Sequence, residues 1–172
     1  MDDIRIAGIE PESFVDGPGV RYTIFMQGCT RGCKGCHNPQ THDPTGGERV
    51  PIKRLIDEIM SDPLVSGVTI SGGEPMMQPF SLHAFLVDLK ERCKEENRQL
   101  NIWMYTGYKV EELKTYPGFK SIYPYLDMIV DGEYKEELRD LTLEFRGSSN
   151  QRLVDRSMIE QIMKEGENDD LS

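Results

Sequence analysis

The sequence lacks the features of a membrane or exported protein. No stretch of its 172 residues comes near the roughly 18 consecutive apolar residues that a membrane-spanning helix needs. The first ten residues, MDDIRIAGIE, contain neither the basic segment nor the apolar core of a signal peptide. We therefore expect a cytoplasmic protein, in a compartment where structural disulfides are rare and closely spaced cysteines indicate metal or redox chemistry.

Positive charge is also scarce. Lys and Arg together number 20 against 30 Asp and Glu, which gives a net charge of −10. Because proteins that bind nucleic acids generally use a basic surface to displace counterions, a nucleic-acid partner is disfavoured. The chain shows no repeat and no linker, so we expect one domain over residues 1–165. The acidic tail that follows, residues 166–172, is expected to be disordered.

The apolar residues alternate between strand and helix patterns. Short runs rich in β-branched and aromatic residues predict strands, and apolar residues at helical spacing predict helices between them. This alternation favours a mainly parallel sheet with helical crossovers. Since a complete eight-fold barrel takes about 250 residues, we expect an α/β fold of the incomplete (β/α) barrel type. The predicted strands are 20–28, 67–71, 100–105, 127–130 and 141–145, and the predicted helices lie within 51–60, 82–93 and 110–113 and after Ser157, which has Glu160 at capping-box spacing.

Three of the four cysteines lie close together in one loop. Cys29, Cys33 and Cys36 fall within residues 28–50, directly after a predicted strand, in a loop longer than most in compact domains. Functional groups in parallel α/β folds lie at this end of the strands. The fourth cysteine, Cys93, falls on the apolar stripe of a predicted helix, which indicates a core residue.

Three kinds of centre use cysteines at such spacing. Cys33, Cys36 and His37 match a c-type haem attachment pattern, but that interpretation leaves Cys29 unexplained. A zinc site would combine the three thiolates with one of the three histidines, although structural zinc ligands usually come as two separated pairs. A [4Fe–4S] cluster normally takes four thiolates, so three would leave one iron open to a substrate. We prefer this last interpretation.

A glycine-rich turn, SGGEP, follows the strand predicted at 67–71. Gly72 and Gly73 permit the backbone to approach a ligand closely, and the carboxylate of Glu74 is an acceptor for an ammonium group. An ordinary strand-to-helix turn has the same composition and remains the alternative.

Together these motifs resemble those of the radical S-adenosylmethionine enzymes. That family holds a [4Fe–4S] cluster on a C-x₃-C-x₂-C loop after the first barrel strand, and its open iron is chelated by the amino and carboxylate groups at the methionine end of S-adenosylmethionine. The segment DGPGVR (16–21) is similar to one shared by enzymes that activate glycyl-radical enzymes. FRGSSNQR (145–152) resembles a signature of the subgroup that activates anaerobic ribonucleoside-triphosphate reductase. The chain departs from the wider family at Gly35, where an aromatic residue usually precedes the third cysteine.

The resemblance implies cofactors, partners and further site residues. The catalytic residues would be the three cluster cysteines, and the cofactors a [4Fe–4S] cluster and S-adenosylmethionine. The partners would be the large subunit of anaerobic ribonucleoside-triphosphate reductase, which would receive a glycyl radical, and a low-potential electron donor of the flavodoxin or ferredoxin type. Two alternatives stay open, namely an activating enzyme of the pyruvate formate-lyase type and a zinc-stabilised interaction module without catalysis. The residues expected to bind the cofactor are Gly72, Gly73, Glu74, Tyr105, Thr106, Asp131, Arg146, Ser148 and Asn150.

Overall fold

The computed structural model describes residues 2–29 and 41–165, and within them seven strands form one sheet. The sequence predicts the central strands β2, β4, β5 and β6 and the helices α1, α2 and α3, but it does not predict α4. In chain order the elements are β1 (Asp3–Ser13), β2 (Arg21–Met26), β3 (Glu48–Pro51), α1 (Ile52–Ser61), β4 (Gly67–Gly72), α2 (Pro79–Glu95), β5 (Asn101–Tyr105), α3 (Val110–Leu113), α4 (Phe119–Ile122), β6 (Met128–Asp131), β7 (Arg152–Asp155) and α5 (Arg156–Lys164).

The centre of the sheet is parallel and its flanks are antiparallel. The strand order is β3-β1-β2-β4-β5-β6-β7. β2, β4, β5 and β6 run parallel to one another, whereas β1 is antiparallel to β2 and β3, and β7 is antiparallel to β6. Among the described strands, the edges β3 and β7 do not pair with each other, so the sheet is open. The protein is therefore a mixed α/β fold with a parallel-rich sheet, and the expectation of parallel strands is wrong at the flanks.

One face of the sheet is covered by amphipathic helices. The apolar stripes that predict α1 and α2 are buried in the core, which confirms both helices. Cys93 lies within the α2 stripe and is 8% exposed, as expected of a core residue. No helix in the described ranges is both long and apolar enough to cross a membrane. The buried stripe residues are Ile52, Leu55, Ile56 and Ile59 in α1 and Leu82, Phe85, Leu86, Leu89 and Cys93 in α2.

The opposite face of the sheet carries polar and aromatic side chains. Successive side chains of a strand point to opposite faces, so the strands that bury aliphatic residues against the helices present a second set here. Part of this face, at Phe25, Ser71 and Tyr105, lines a cavity. The residues on this face are Arg21, Thr23 and Phe25 in β2, Thr69 and Ser71 in β4, and Trp103 and Tyr105 in β5.

Several sequence predictions are wrong near the two ends of the chain. Residues 141–145, predicted as a strand, form turns, and the strand that pairs with β6 is β7, which the sequence does not indicate. The last helix begins at Arg156, and its N-cap is Asp155, whose carboxylate accepts a hydrogen bond from the Met158 amide at 2.9 Å. The N-cap therefore lies two residues before Ser157, where the capping box was predicted. The sequence also misses β1 and β3. The acidic tail, 166–172, lies outside the described residues.

Candidate functional site

A cavity of about 620 Å³ opens at the carboxyl ends of the central parallel strands. Each strand contributes the residues that follow it: Cys29 after β2, Gly73 and Glu74 after β4, Thr106 and Gly107 after β5, and Gly132 after β6. The carboxyl ends of parallel strands meet at one edge of a sheet, and ligands in such folds bind there. The cavity therefore lies where the sequence places the functional groups.

The two ends of the cysteine loop are held together beside this cavity. The Gly28 amide donates to the Thr41 carbonyl at 2.5 Å, and the Cys29 amide donates to the His42 carbonyl at 3.0 Å. Cys29 is half-buried, lines the cavity and forms no disulfide within the described ranges. Cys33 and Cys36 lie outside the described residues. Among the residues that are described, no three potential metal ligands come together.

The glycine turn after β4 packs directly on the base of the cysteine loop. Gly72 has a φ of +109°, a conformation that side chains rarely adopt, and a Cβ there would lie 2.3 Å from the Met26 nitrogen. A Cβ on Gly73 would lie 2.4 Å from the Gly28 carbonyl oxygen. Both obstacles are backbone atoms, which cannot rotate away. The two glycines therefore allow the turn to pack against the backbone of Met26 and Gly28, just before Cys29.

Glu74 is buried beneath the cavity, where it is 1% exposed. Its carboxylate accepts hydrogen bonds from the Thr106 hydroxyl at 3.0 Å, from the Gly107 amide at 2.7 Å and from the Met76 amide at 3.0 Å. A buried carboxylate needs such donors to offset its lost hydration. The side chain thus connects the end of β4 to the end of β5.

Tyr105, Thr106 and Arg146 also line the cavity, as the sequence predicts. The Tyr105 hydroxyl donates to the Phe145 carbonyl at 2.7 Å. Burial and the nearby Asp16 carboxylate raise the pKa of this phenol above its ordinary value, so it stays protonated at neutral pH. Arg146 donates one bond to the Gln151 carbonyl at 3.2 Å. Its Nε is buried and has no hydrogen-bond partner among the described residues.

The other three expected cofactor residues do not border the cavity. Asp131 is fully buried and accepts hydrogen bonds from the Val110 amide and the Arg152 guanidinium, each at 2.9 Å. The Ser148 hydroxyl accepts from the Lys135 amide at 3.2 Å, and the Asn150 amide group donates to the Glu133 carbonyl at 2.8 Å. These contacts hold β6, β7 and the loop between them together. A direct role of the three residues in cofactor binding stays a prediction.

Asp16 and His42 also line the cavity, although neither is among the cofactor-binding residues expected from the sequence. Asp16 accepts hydrogen bonds from the Ser13 hydroxyl at 2.6 Å and from the Thr23 hydroxyl at 3.2 Å. His42 is one of the histidines considered above as a zinc ligand. Asp16 belongs to the DGPGVR segment, so the resemblance of that segment could have indicated Asp16 as a site residue. His42 gains its position through pairing with Cys29, which no local pattern indicates.

The cavity mouth carries exposed apolar side chains. Phe14 is 69% exposed, Val15 is 74% exposed and Leu141 is 81% exposed, and all three belong to the cavity lining. They come from two segments far apart in sequence, one before β2 and one after β6.

Comparison with known proteins decides which family carries this site. A family model described as a 4Fe-4S single cluster domain matches residues 15–154. The anaerobic ribonucleoside-triphosphate reductase-activating protein of Vibrio cholerae is 39% identical over 146 residues, which covers 82% of this chain and 91% of that protein. The chain belongs to this family of activating proteins.

Further members of the family are similarly related. The activating protein of Escherichia coli K12 is 34% identical, with 82% of this chain and 92% of that protein covered. That of enterobacteria phage T4 is 34% identical, with 84% of this chain and 90% of that protein covered. The resemblance seen in the sequence motifs is thereby confirmed. The matched family model supports an iron–sulfur cluster as the metal centre.

Proposed function

We propose that the chain is a radical S-adenosylmethionine enzyme that places a glycyl radical on anaerobic ribonucleoside-triphosphate reductase. Residues 1–165 would form its single domain, of the incomplete-barrel type of that superfamily, with 166–172 as an acidic tail, and it would act in the cytoplasm. The observation that carries the proposal is the position of Cys29. This thiol borders a cavity at the carboxyl ends of parallel strands, beside a glycine turn packed on its own loop.

The [4Fe–4S] cluster would be held by Cys29, Cys33 and Cys36. When bound, it would supply an open iron for S-adenosylmethionine and, once reduced by the electron donor, the one electron needed to cleave the bond from the sulfonium to the 5′ carbon. The chain itself would bind and orient the cofactor and exclude water from it. Gly72 and Gly73 would offer their backbone to the methionine end of the cofactor.

The remaining cavity residues would orient the cofactor. The guanidinium of Arg146 suits a carboxylate, because its planar donors match the two oxygens, and its unpartnered Nε supports a further acceptor there. Tyr105 and Thr106 would lie along the ribose side, where the phenol oxygen, whose proton goes to the Phe145 carbonyl, could accept a hydrogen bond from a ribose hydroxyl. Asp131, Ser148 and Asn150 would contribute by holding the wall of the cavity in place.

The test is formation of the glycyl radical on the partner. The reconstituted protein is mixed anaerobically with the large subunit of the reductase, S-adenosylmethionine and reduced flavodoxin, and the electron paramagnetic resonance spectrum is recorded. We expect a glycine-centred signal on the reductase and none with Cys33→Ala. A signal with pyruvate formate-lyase instead of the reductase would overturn the choice of partner. Full activity of Cys33→Ala, or tightly bound zinc without iron, would overturn the radical mechanism.

A further inference from the structure

Glu74 makes two connections at once. Through its backbone amide it donates to the Gly28 carbonyl at 2.7 Å, at the base of the cysteine loop. Through its carboxylate it accepts from the Thr106 hydroxyl and the Gly107 amide, at the end of β5. One residue therefore joins the elements on either side of the cavity.

The hydrogen-bond directions around this carboxylate are determined by its neighbours. The Tyr108 amide donates to the Thr106 oxygen at 3.2 Å, so the hydroxyl proton is available to Glu74, whose two oxygens both lie 3.0 Å away. The Gly107 amide occupies one carboxylate oxygen and the Met76 amide the other. A carboxylate has about four lone-pair positions, and donors from the chain already occupy most of them.

We propose that Glu74 is a positioning residue that fixes the spacing between the cysteine loop and the Thr106–Gly107 turn, and that its carboxylate is not the acceptor of the cofactor's ammonium group. The site would bind that ammonium through the backbone of the glycine turn. The claim about the cofactor's ammonium group rests on the proposed function. The connection that Glu74 makes between the cysteine loop and the Thr106–Gly107 turn is a property of the chain alone.

The test compares Glu74→Gln and Thr106→Val with the wild type, without S-adenosylmethionine. Glutamine keeps the size of the side chain, but its NH₂ group would face the amide N–H of either Gly107 or Met76, so at least one hydrogen bond is lost. Valine keeps the shape of threonine and removes the hydroxyl. Thr115→Val, at an exposed threonine, serves as the matched control. Amide hydrogen exchange is measured by mass spectrometry on the cluster-loaded protein.

We expect exchange in residues 27–29 and 105–108 to be about tenfold faster in both variants, with α2 unchanged. The two substitutions should be non-additive when combined, as residues in one network are. The reduced-cluster resonance recorded without S-adenosylmethionine should also differ from that of the wild type. Thr106→Val is informative alone if Glu74→Gln does not fold, because the hydroxyl lies just after β5 and the expected change includes the cysteine loop.

Unchanged exchange and an unchanged resonance in both variants would overturn the proposal. If a separate titration then showed weakened S-adenosylmethionine binding by Glu74→Gln, Glu74 would act as a direct ligand instead. Faster exchange across the whole chain, α2 included, would also overturn it in favour of a general loss of stability. Failure of the wild type to cleave S-adenosylmethionine would refute the proposed function and leave this result standing, since no S-adenosylmethionine is present in the exchange measurement.

Discussion

Replacing Arg21 with methionine tests how the DGPGVR segment is attached to the sheet. Arg21 is 1% exposed and lies on the cavity-side face at the start of β2. Its guanidinium donates to the Thr69 hydroxyl at 2.7 Å and to the carbonyls of Asn101, Pro18 and Val68 at 2.8, 3.0 and 3.1 Å. It also lies 5.4 Å from the centre of the Trp103 ring. One side chain thus connects the segment before β2 to β4 and β5.

The expected loss is smaller than four hydrogen bonds suggest. A hydrogen bond to a charged group contributes about 1.5–3 kcal/mol, and a buried acceptor left without a partner costs about 1–3 kcal/mol. Against this, burial lowers the pKa of Arg21 to about 10, so holding the charge inside costs free energy that methionine would not incur. We therefore expect a net loss of about 2–4 kcal/mol in the free energy of unfolding. For a chain of this size that lowers Tm by about 4–16 °C.

Anaerobic thermal and denaturant unfolding of the purified variant measures this loss. Arg49→Met is the matched control, because the Arg49 side chain is 68% exposed and its ion pair with Asp3, at 3.7 Å, lies in solvent. We expect a change within about 0.5 kcal/mol for that control. If Arg21→Met were as stable as the control, the guanidinium would not be a structural connector, and its contacts would have to serve a ligand instead.

Three further predictions concern the metal site and pH. Gly73→Ala should reduce the iron bound after reconstitution by at least about twofold, measured by metal analysis, because its Cβ would meet the Gly28 carbonyl. Cys93→Ser should bind iron like the wild type, whereas Cys29→Ser should not, because Cys93 is buried in the helical core and Cys29 borders the cavity. The hydrogen bond from Arg152 lowers the pKa of Glu111 below its ordinary 4.5, so its contribution is present above that pH and lost in more acidic solution. Between pH 6 and pH 4, Glu111→Gln should lose about 1–2 °C less Tm than the wild type. Equal losses would contradict this.

The central strands and the long helices follow from local sequence patterns. The α1 and α2 stripes recur at helical spacing, and β2, β4, β5 and β6 are short, buried and rich in apolar residues, so each pattern has one good interpretation. β1 was missed because it is partly exposed and interrupted by Gly8 and Pro11. β3 and β7 have only four residues each, and their pairing depends on partners far along the chain.

The loop after β6 shows why some site predictions did not reach the cavity. LTLEF has the alternation of a strand, but β7 takes the edge of β6 and these residues form a cavity wall, with Phe145 at a φ of +62°. Gln151 organises the same loop: its side-chain oxygen accepts from the Gly147 and Ser148 amides at 2.9 and 3.1 Å, and its nitrogen donates to the Gly132 carbonyl at 3.1 Å. Such contacts depend on tertiary structure, so the sequence alone could not show that Arg146 lines the cavity while Ser148 and Asn150 do not.

The central claim is that the cysteine loop holds an iron–sulfur cluster with an iron open to S-adenosylmethionine. The most direct measurement is the electron paramagnetic resonance spectrum of the anaerobically reconstituted, reduced protein, with and without S-adenosylmethionine. The account predicts a reduced-cluster signal that changes when the cofactor is added and 5′-deoxyadenosine as a product. A cluster signal indifferent to the cofactor, or a protein that takes up zinc and no iron, would contradict it.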